Sequence, residues 1–284
     1  MDSKTLSTSL ALFAVTAVLM VGLVKAAKKE KSSSSKPELA KPAPLTTKVF
    51  PTKDKVSKAL CEYVAAAANK AIAERGVFHL AVAGGSLLDA LAGLNDQKVD
   101  YSKVVLSFVN HKCVALDDEK KATIAKCKTK FANEAGITRF VCPNPSPVEG
   151  TDGSADAAFY ANALKEANIP TSSNGCPIFD LVLLGLGSDG HVGSNHPMGP
   201  AVLNTTNAVA GSPKEGEPSS ITLTIESINA ARDVAVVVCG GSKGKKEAVK
   251  RAMVRPAEEP RGTFPAQLLQ SPTYFLDSEA ASDL

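Results

Sequence analysis

Apolar residues Val56, Leu60, Val64, Ala67 and Ala71 recur at three- and four-residue intervals after Asp54 and stop at Gly76. This spacing predicts an amphipathic helix with Asp54 as its cap. Residues 78–83 (FHLAVA) then form a short apolar run that breaks into Gly84-Gly85-Ser86, after which LLDALAGL resumes a helical pattern. The alternation continues down the chain. Strand-like runs fall at 104–109 (VVLSFV), 140–142, 180–186 (DLVLLGL), 221–225 (ITLTI) and 234–241 (VAVVVCGG), with helix-like stretches at 118–131, 155–167 and 245–254. Continuous apolar runs are the mark of strands buried on both faces, and strands alternating with helices imply a parallel sheet. The expected fold is α/β, a doubly wound, mostly parallel Rossmann-like sheet with helices on both faces. No internal repeat of fixed period is present.

Two stretches ahead of this pattern behave differently. Residues 5–24 carry no charge and are long enough to cross a hydrocarbon core, so 1–27 reads as a membrane anchor or a signal peptide. Asp2 offsets Lys4 on one side, while Lys25, Lys28, Lys29 and Lys31 follow on the other. That asymmetry would leave the remainder in the cytosol behind an uncleaved anchor. The expectation is a membrane-tethered, cytosol-facing domain, the alternative being the endoplasmic reticulum lumen or another organelle after cleavage. The sequon Asn204-Thr205-Thr206 would be open to glycosylation in the reverse orientation. Residues 28–51 are rich in Lys, Ser and Pro, cannot bury enough apolar surface to fold alone, and are assigned as a linker. The folded domain is placed at 52–284.

Composition narrows the function classes. A chain of 284 residues with 44% hydrophobic content can bury a full-sized core, and several of the lysines behind its net charge of +3 belong to the N-terminal tail. Aromatic content is 5% with no Trp, and the basic residues form no stripe interleaved with aromatics, so no nucleic-acid partner is expected. The six cysteines show neither a CxxC pair nor a Cys/His ligand spacing. They read as small hydrophobes in a reducing compartment, with no metal site.

Candidate chemistry is concentrated in residues 179–197, FDLVLLGLGSDGHVGSNHP, where an apolar strand feeds a glycine-rich turn holding Asp189, Gly190 and His191. Ligands of open α/β sheets bind at the carboxyl ends of the strands, and a His in such a loop suits acid/base work. Asp189 either orients the imidazole, holds a substrate hydroxyl, or closes the turn on its own backbone. Two more strand ends are glycine-rich, at 84–86 and 240–244, and amides at such turns bind anions. Gly185, Gly187 and Gly190 match the dinucleotide fingerprint in spacing but lie too late in the chain for a first βα turn, and 240–246 lacks the pattern of a P-loop. A phosphorylated small molecule fits better than a nucleotide.

From about Val56 to the C-terminus the chain resembles the 6-phosphogluconolactonase family, within the group that also holds glucosamine-6-phosphate deaminases. The resemblance rests on LAVAGGS, VVLSFVNHKCV, FDLVLLGLGSDGHVGS, SPKEGEPSSITLTIESINAAR, VVCGGSKG and FPAQLLQSPTYFLDSEAA, in that order. It implies a doubly wound α/β domain that needs no cofactor and hydrolyses 6-phosphoglucono-1,5-lactone to 6-phosphogluconate in the pentose phosphate pathway. On this reading His191 is the general base, and Asp189 and Asn110 give polar support. Gly84, Gly85, Ser86, Lys112, Gly187, Gly190 and Lys214 hold the phosphorylated sugar lactone, Lys214 being alternatively a solvated loop lysine. A monomer is expected.

The chain also departs from the family pattern. Where relatives carry Asp-Glu-Arg after the second strand, it has Asn110, His111 and Lys112. Asn cannot act as a base, and Lys lacks the bidentate fork of Arg. A Thr after the first glycine pair and its Ser is Leu87, and an Arg ahead of ITLT is Ser220. Deamination, as the resemblance implies it, needs the acid that Asn110 replaces, and its FNEP block is here Ser194-Asn195-His196-Pro197. Lactone hydrolysis asks only that water be activated. The alternatives are a sugar-phosphate isomerase or deaminase, and a catalytically degenerate sugar-phosphate-binding module. His111 and His196 are expected to be polar loop residues.

Overall fold

The computed structural model describes residues 45–241, 244–254 and 259–284. The uncharged stretch 5–24, most of the assigned linker, and Ser242 and Lys243 of the third glycine loop lie outside them. Among the described residues no helix is long and apolar enough to cross a membrane.

Seven strands form one parallel sheet. In chain order they are β1 (Thr46–Phe50), β2 (Phe78–Val82), β3 (Val104–Phe108), β5 (Arg139–Phe140), β6 (Leu181–Gly185), β9 (Val234–Val238) and β10 (Thr273–Asp277), and across the sheet they run β1-β10-β9-β6-β2-β3-β5. Every residue of β2, β3, β9 and β10 is buried, which requires cover on both faces and matches the continuous apolar runs. The doubly wound α/β expectation holds. A second, antiparallel sheet has the order β4-β8-β7, built from β4 (Asn110–Lys112), β7 (Val209–Ser212) and β8 (Ser220–Leu223).

The main helices are α1 (Lys53–Arg75), α2 (Thr123–Cys127), α3 (Ser154–Glu166), α4 (Ile225–Asn229) and α5 (Lys245–Met253). α1 buries Val56, Leu60, Val64 and Ala71 as their spacing requires. Its cap is Thr52 rather than Asp54: the Thr52 hydroxyl accepts the Lys55 N–H at 3.4 Å, and Asp54 sits in the first turn. Gly76 closes the helix in the left-handed conformation, φ 75°.

Three other expectations are corrected. Residues 46–50, assigned to the linker, form the edge strand β1, in register with β10 from Thr46↔Thr273 to Phe50↔Asp277. Its first four residues are exposed, so neither alternation nor apolar content marks it. The ITLTI run is not a strand of the parallel sheet. Ile221 pairs with His111 in the small antiparallel sheet, and Thr224 caps α4 by accepting the Ser227 N–H at 3.4 Å, which turns Ile225 into helix. The helix expected from residue 118 starts at Thr123, because the Asp118 carboxylate accepts the Lys120 and Lys121 N–H groups at 2.9 and 2.8 Å and closes a turn. The segment after the first glycine pair, Ser86–Asp96, winds as 3-10 turns interrupted at Gly93.

Candidate active site

The strand β6 delivers the chain into the glycine-rich turn. Gly187 N–H donates to the His191 carbonyl at 2.9 Å and Gly190 N–H to the Gly187 carbonyl at 3.0 Å, closing the loop on itself. Asp189 Oδ1 accepts the His191 N–H at 3.1 Å and lies 2.6 Å from His191 Nδ1. A carboxylate can only accept, so Nδ1 carries the proton and Nε2 is left with a lone pair. Partial burial works to raise the Asp189 carboxyl, but the His191 N–H and the imidazole outweigh it and hold the group below its ordinary value.

The loop depends on its glycines for space. A Cβ on Gly187 would stand 2.1 Å from His191 Nδ1 and 2.5 Å from Asp189 Oδ1. Gly190 has φ +86°, and its Cβ would meet the Phe264 ring at 2.4 Å. Gly190 thus serves the turn and its packing on Phe264; the cavity wall is made by others.

That cavity, about 320 Å³, lies at the carboxyl ends of β2, β6 and β9. It brings together Gly84, Gly85, Ser86, Gly187 and His191 of the expected site, and adds Lys245. Lys245 opens α5, and its ammonium donates to the Leu186 carbonyl; burial lowers its pKa, with Asp189 opposing the shift. Lys243, earlier in this third glycine loop, is outside the described residues. Leu87, where the resemblance implies a Thr, is 3% exposed, packs into the core and also lines this cavity.

Asn110 is a strut between two loops. Its Oδ1 accepts the Gly84 N–H at 3.0 Å and its Nδ2 donates to Ser194 Oγ at 3.1 Å, so both ends of the amide are used inside the protein. Ser194 is in turn tied to the small sheet: its N–H donates to Thr222 Oγ1 at 3.1 Å, and its carbonyl accepts the Ser212 hydroxyl at 2.7 Å. The small antiparallel sheet therefore fixes the residues that follow His191.

The two expected phosphate lysines do not line the cavity. Lys112 and Lys214 meet on Glu217, whose carboxylate takes the Lys112 ammonium on one oxygen and the Lys214 ammonium, at 2.6 Å, on the other. These two lysines hold the Glu217 carboxyl down to about 2. Ser220 stands directly opposite Lys112 in the β4–β8 register, so the position where the resemblance implies an Arg borders this cluster.

The spare histidines separate. His111 is buried in β4, with Nδ1 2.6 Å from the Lys112 carbonyl and its ring edge-on to Phe108, and is no loop residue. His196 lies with its ring centroid 4.8 Å from that of His191, and its pKa is lowered by burial and then by His191. Asp189, His191 and His196 are the group of ligand-type residues, among the described ones, whose donor atoms come within 4.8 Å of one another. The Asp189–His191 hydrogen bond already engages two of them.

Sequence reasoning missed Ser194, Thr222, Glu217 and Lys245. Lys245 alone carried a usable signal, its place just beyond a glycine-rich strand end. The other three are defined by contacts between distant segments: Ser194 to Thr222 spans 28 residues and Lys112 to Glu217 spans 105.

Comparison with known proteins identifies the family to which this fold belongs. Residues 51–275 match the model of the family described as glucosamine-6-phosphate isomerases/6-phosphogluconolactonase. The chain is 32% identical over 256 residues to a rice (Oryza sativa subsp. indica) protein named "Probable 6-phosphogluconolactonase 2", covering 84% of this chain and 89% of that one. It is 31% identical over 226 residues to a Synechocystis 6-phosphogluconolactonase, covering 76% and 88%. Among solved structures, the 6-phosphogluconolactonase of Trypanosoma brucei superposes with a TM-score of 0.73 at 25% identity, over 86% of this chain and all (100%) of that one. This chain belongs to the glucosamine-6-phosphate isomerase/6-phosphogluconolactonase family.

Proposed function

We propose that this protein hydrolyses 6-phosphoglucono-1,5-lactone to 6-phosphogluconate with His191 as general base. The carrying observation is the 2.6 Å contact of Asp189 Oδ1 with His191 Nδ1 at the rim of a glycine-walled cavity. Nε2 takes a proton from a water molecule as that water attacks the lactone carbonyl carbon. Negative charge develops on the carbonyl oxygen. Gly84 already gives its N–H to Asn110, which leaves the amides of Gly85 and Ser86, at the start of the 3-10 segment, for that oxygen. Collapse breaks the bond from the carbonyl carbon to the ring oxygen, and the imidazolium returns its proton to the leaving alkoxide. Lys245 supplies positive charge at the cavity wall, and Lys112 and Lys214, which lie outside its lining, are assigned to the phosphorylated end of a ligand that extends past it.

Asn110 supports the lactonase over the isomerase or deaminase reading. Its amide cannot abstract a carbon-bound proton, whereas hydrolysis leaves it only a positioning role between Gly84 and Ser194. The test is hydrolysis of freshly generated lactone, measured above its spontaneous background, by wild type and His191→Ala in parallel. Any soluble fragment used should begin before Thr46, since a later start cuts β1. Acceleration lost in His191→Ala is expected. A folded protein without acceleration, still binding 6-phosphogluconate, would leave the degenerate binding module.

Two further parts of the reading rest on sequence alone. The uncharged stretch 5–24 supports a membrane association with the domain facing the cytosol, and glycan found on Asn204 would reverse that orientation. A monomeric enzyme is expected, to be checked by light scattering.

A further inference from the structure

We propose that Glu217 is a built-in competitor for the substrate's phosphate: its carboxylate occupies the Lys112–Lys214 pair and must be displaced when a phosphorylated ligand binds. The inference rests on the reading of those lysines as phosphate anchors.

The cluster is assembled from two elements. Lys112 ends β4, while Lys214 and Glu217 belong to the loop joining β7 to β8. Each carboxylate oxygen receives one ammonium. Two oxygens on one atom bridging two cations is also how an edge of a phosphate group would meet them. The carboxylate therefore fills the position with the right shape and about half the charge.

The nearby acids add to Glu217, since Glu149 lines a pocket with it and Glu215 precedes it in the exposed loop. Ser220, facing Lys112 across the β4–β8 pair, brings no charge, so Glu217 leaves the cluster with one net positive charge where the lysines alone would present two. Strand β4 connects the cluster to the cavity: Lys112 ends the strand that Asn110 begins, and Asn110 Oδ1 accepts the N–H of Gly84 in the cavity wall. Displacement is easy. The loop is exposed and turns at Gly216, φ +72°, and exposed ion pairs are weak and screened by salt. A phosphate dianion, with the larger charge, outcompetes the carboxylate; a singly charged sugar acid does not. Glu217 thereby favours dianionic ligands and loosens the site's hold on them.

The experiment uses the full chain, with inorganic phosphate and 6-phosphogluconate as calorimetric probes and the lactone KM as a second readout. Glu217→Gln keeps the length and removes the charge. Tightening of both probes by about three- to tenfold, the scale of one exposed charge pair amplified by a second, is expected, with a parallel fall in KM. The gain should vanish when Lys112→Met is added to Glu217→Gln. Unchanged or weaker phosphate binding in Glu217→Gln would overturn the proposal, weaker binding meaning that Glu217 organises the lysines for the ligand. The two readings separate cleanly. Tighter phosphate binding without lactone hydrolysis in any variant sinks the activity and keeps the competitor; hydrolysis with unmoved phosphate affinity does the reverse.

Discussion

The α-carbon of Gly187 lies directly against the imidazole of His191, so close that a Cβ there would be 2.1 Å from Nδ1. The same Cβ would be 2.5 Å from Asp189 Oδ1, and no rotamer change at one partner relieves both contacts. Gly187→Ala is therefore expected to separate the pair without unfolding the domain, since this loop is at the surface end of β6. The expected loss in kcat/KM is on the order of 10²-fold or more, the contribution of a positioned general base. Lactonase assays beside a thermal melt would check it. Near-normal turnover would show that the Asp189–His191 contact is dispensable.

Asp189→Asn isolates the second member of the pair. The amide has the carboxylate's shape but can offer its NH2 to Nδ1, which puts the imidazole proton on Nε2 and removes the base. A fall in kcat of roughly 10²–10⁴-fold is expected, by the same logic that makes a carboxylate fix the tautomer in a catalytic triad. A variant with wild-type kcat would assign Asp189 to the turn alone, through its bond to the His191 N–H.

The glycine loop around His191 was legible because its constraints are local: Gly187, Asp189, Gly190 and His191 shape one another within five residues. The parallel strands were legible for a similar reason, burial on both faces leaving an apolar run in the sequence itself. β1 was hidden because an edge strand needs only backbone partners, and Thr46–Phe50 meets β10 from the far end of the chain. ITLTI has the composition of a strand, but composition does not say which sheet; pairing with His111 and Gly211 does. Lys112 and Lys214 were singled out by charge, but their pairing with Glu217, 105 residues from Lys112, is something no local pattern reveals.

Asn110 offers a test of what its departure from the family pattern costs. Its Oδ1 accepts from Gly84 and its Nδ2 donates to Ser194, whose hydroxyl can rotate to donate instead. Asn110→Asp should therefore be close to neutral in stability and activity. Asn110→Ala loses both bonds and frees the Gly84 amide, and should cost about 1–3 kcal/mol of stability together with a clear drop in kcat/KM. Denaturant melts and lactonase assays of the two variants side by side decide it. Equal damage from both would mean that the amide nitrogen itself is required.

His111 should couple folding to pH. It is 1% exposed, its Nδ1 donates to the Lys112 carbonyl, and burial, opposed only by that bond, pushes its pKa down to about 4. An unfolded His titrates near 6.5. Between those values the unfolded chain holds a proton that the folded chain refuses, so stability is complete above about pH 6.5 and is lost as pH falls toward 4. The loss from this one residue is on the order of 2–3 kcal/mol. His79, also buried and lowered, pulls in the same direction, whereas Glu217 and Asp189, whose pKa values are depressed, contribute only below the ordinary carboxylate range. Urea midpoints between pH 7.5 and 4.5 should fall for the wild type and fall less for His111→Leu, the residual slope belonging to His79 and His196, whose pKa values are also lowered. An unchanged slope in His111→Leu would mean that the buried imidazole accepts its proton in the folded state, by opening β4 or by admitting water to Nε2.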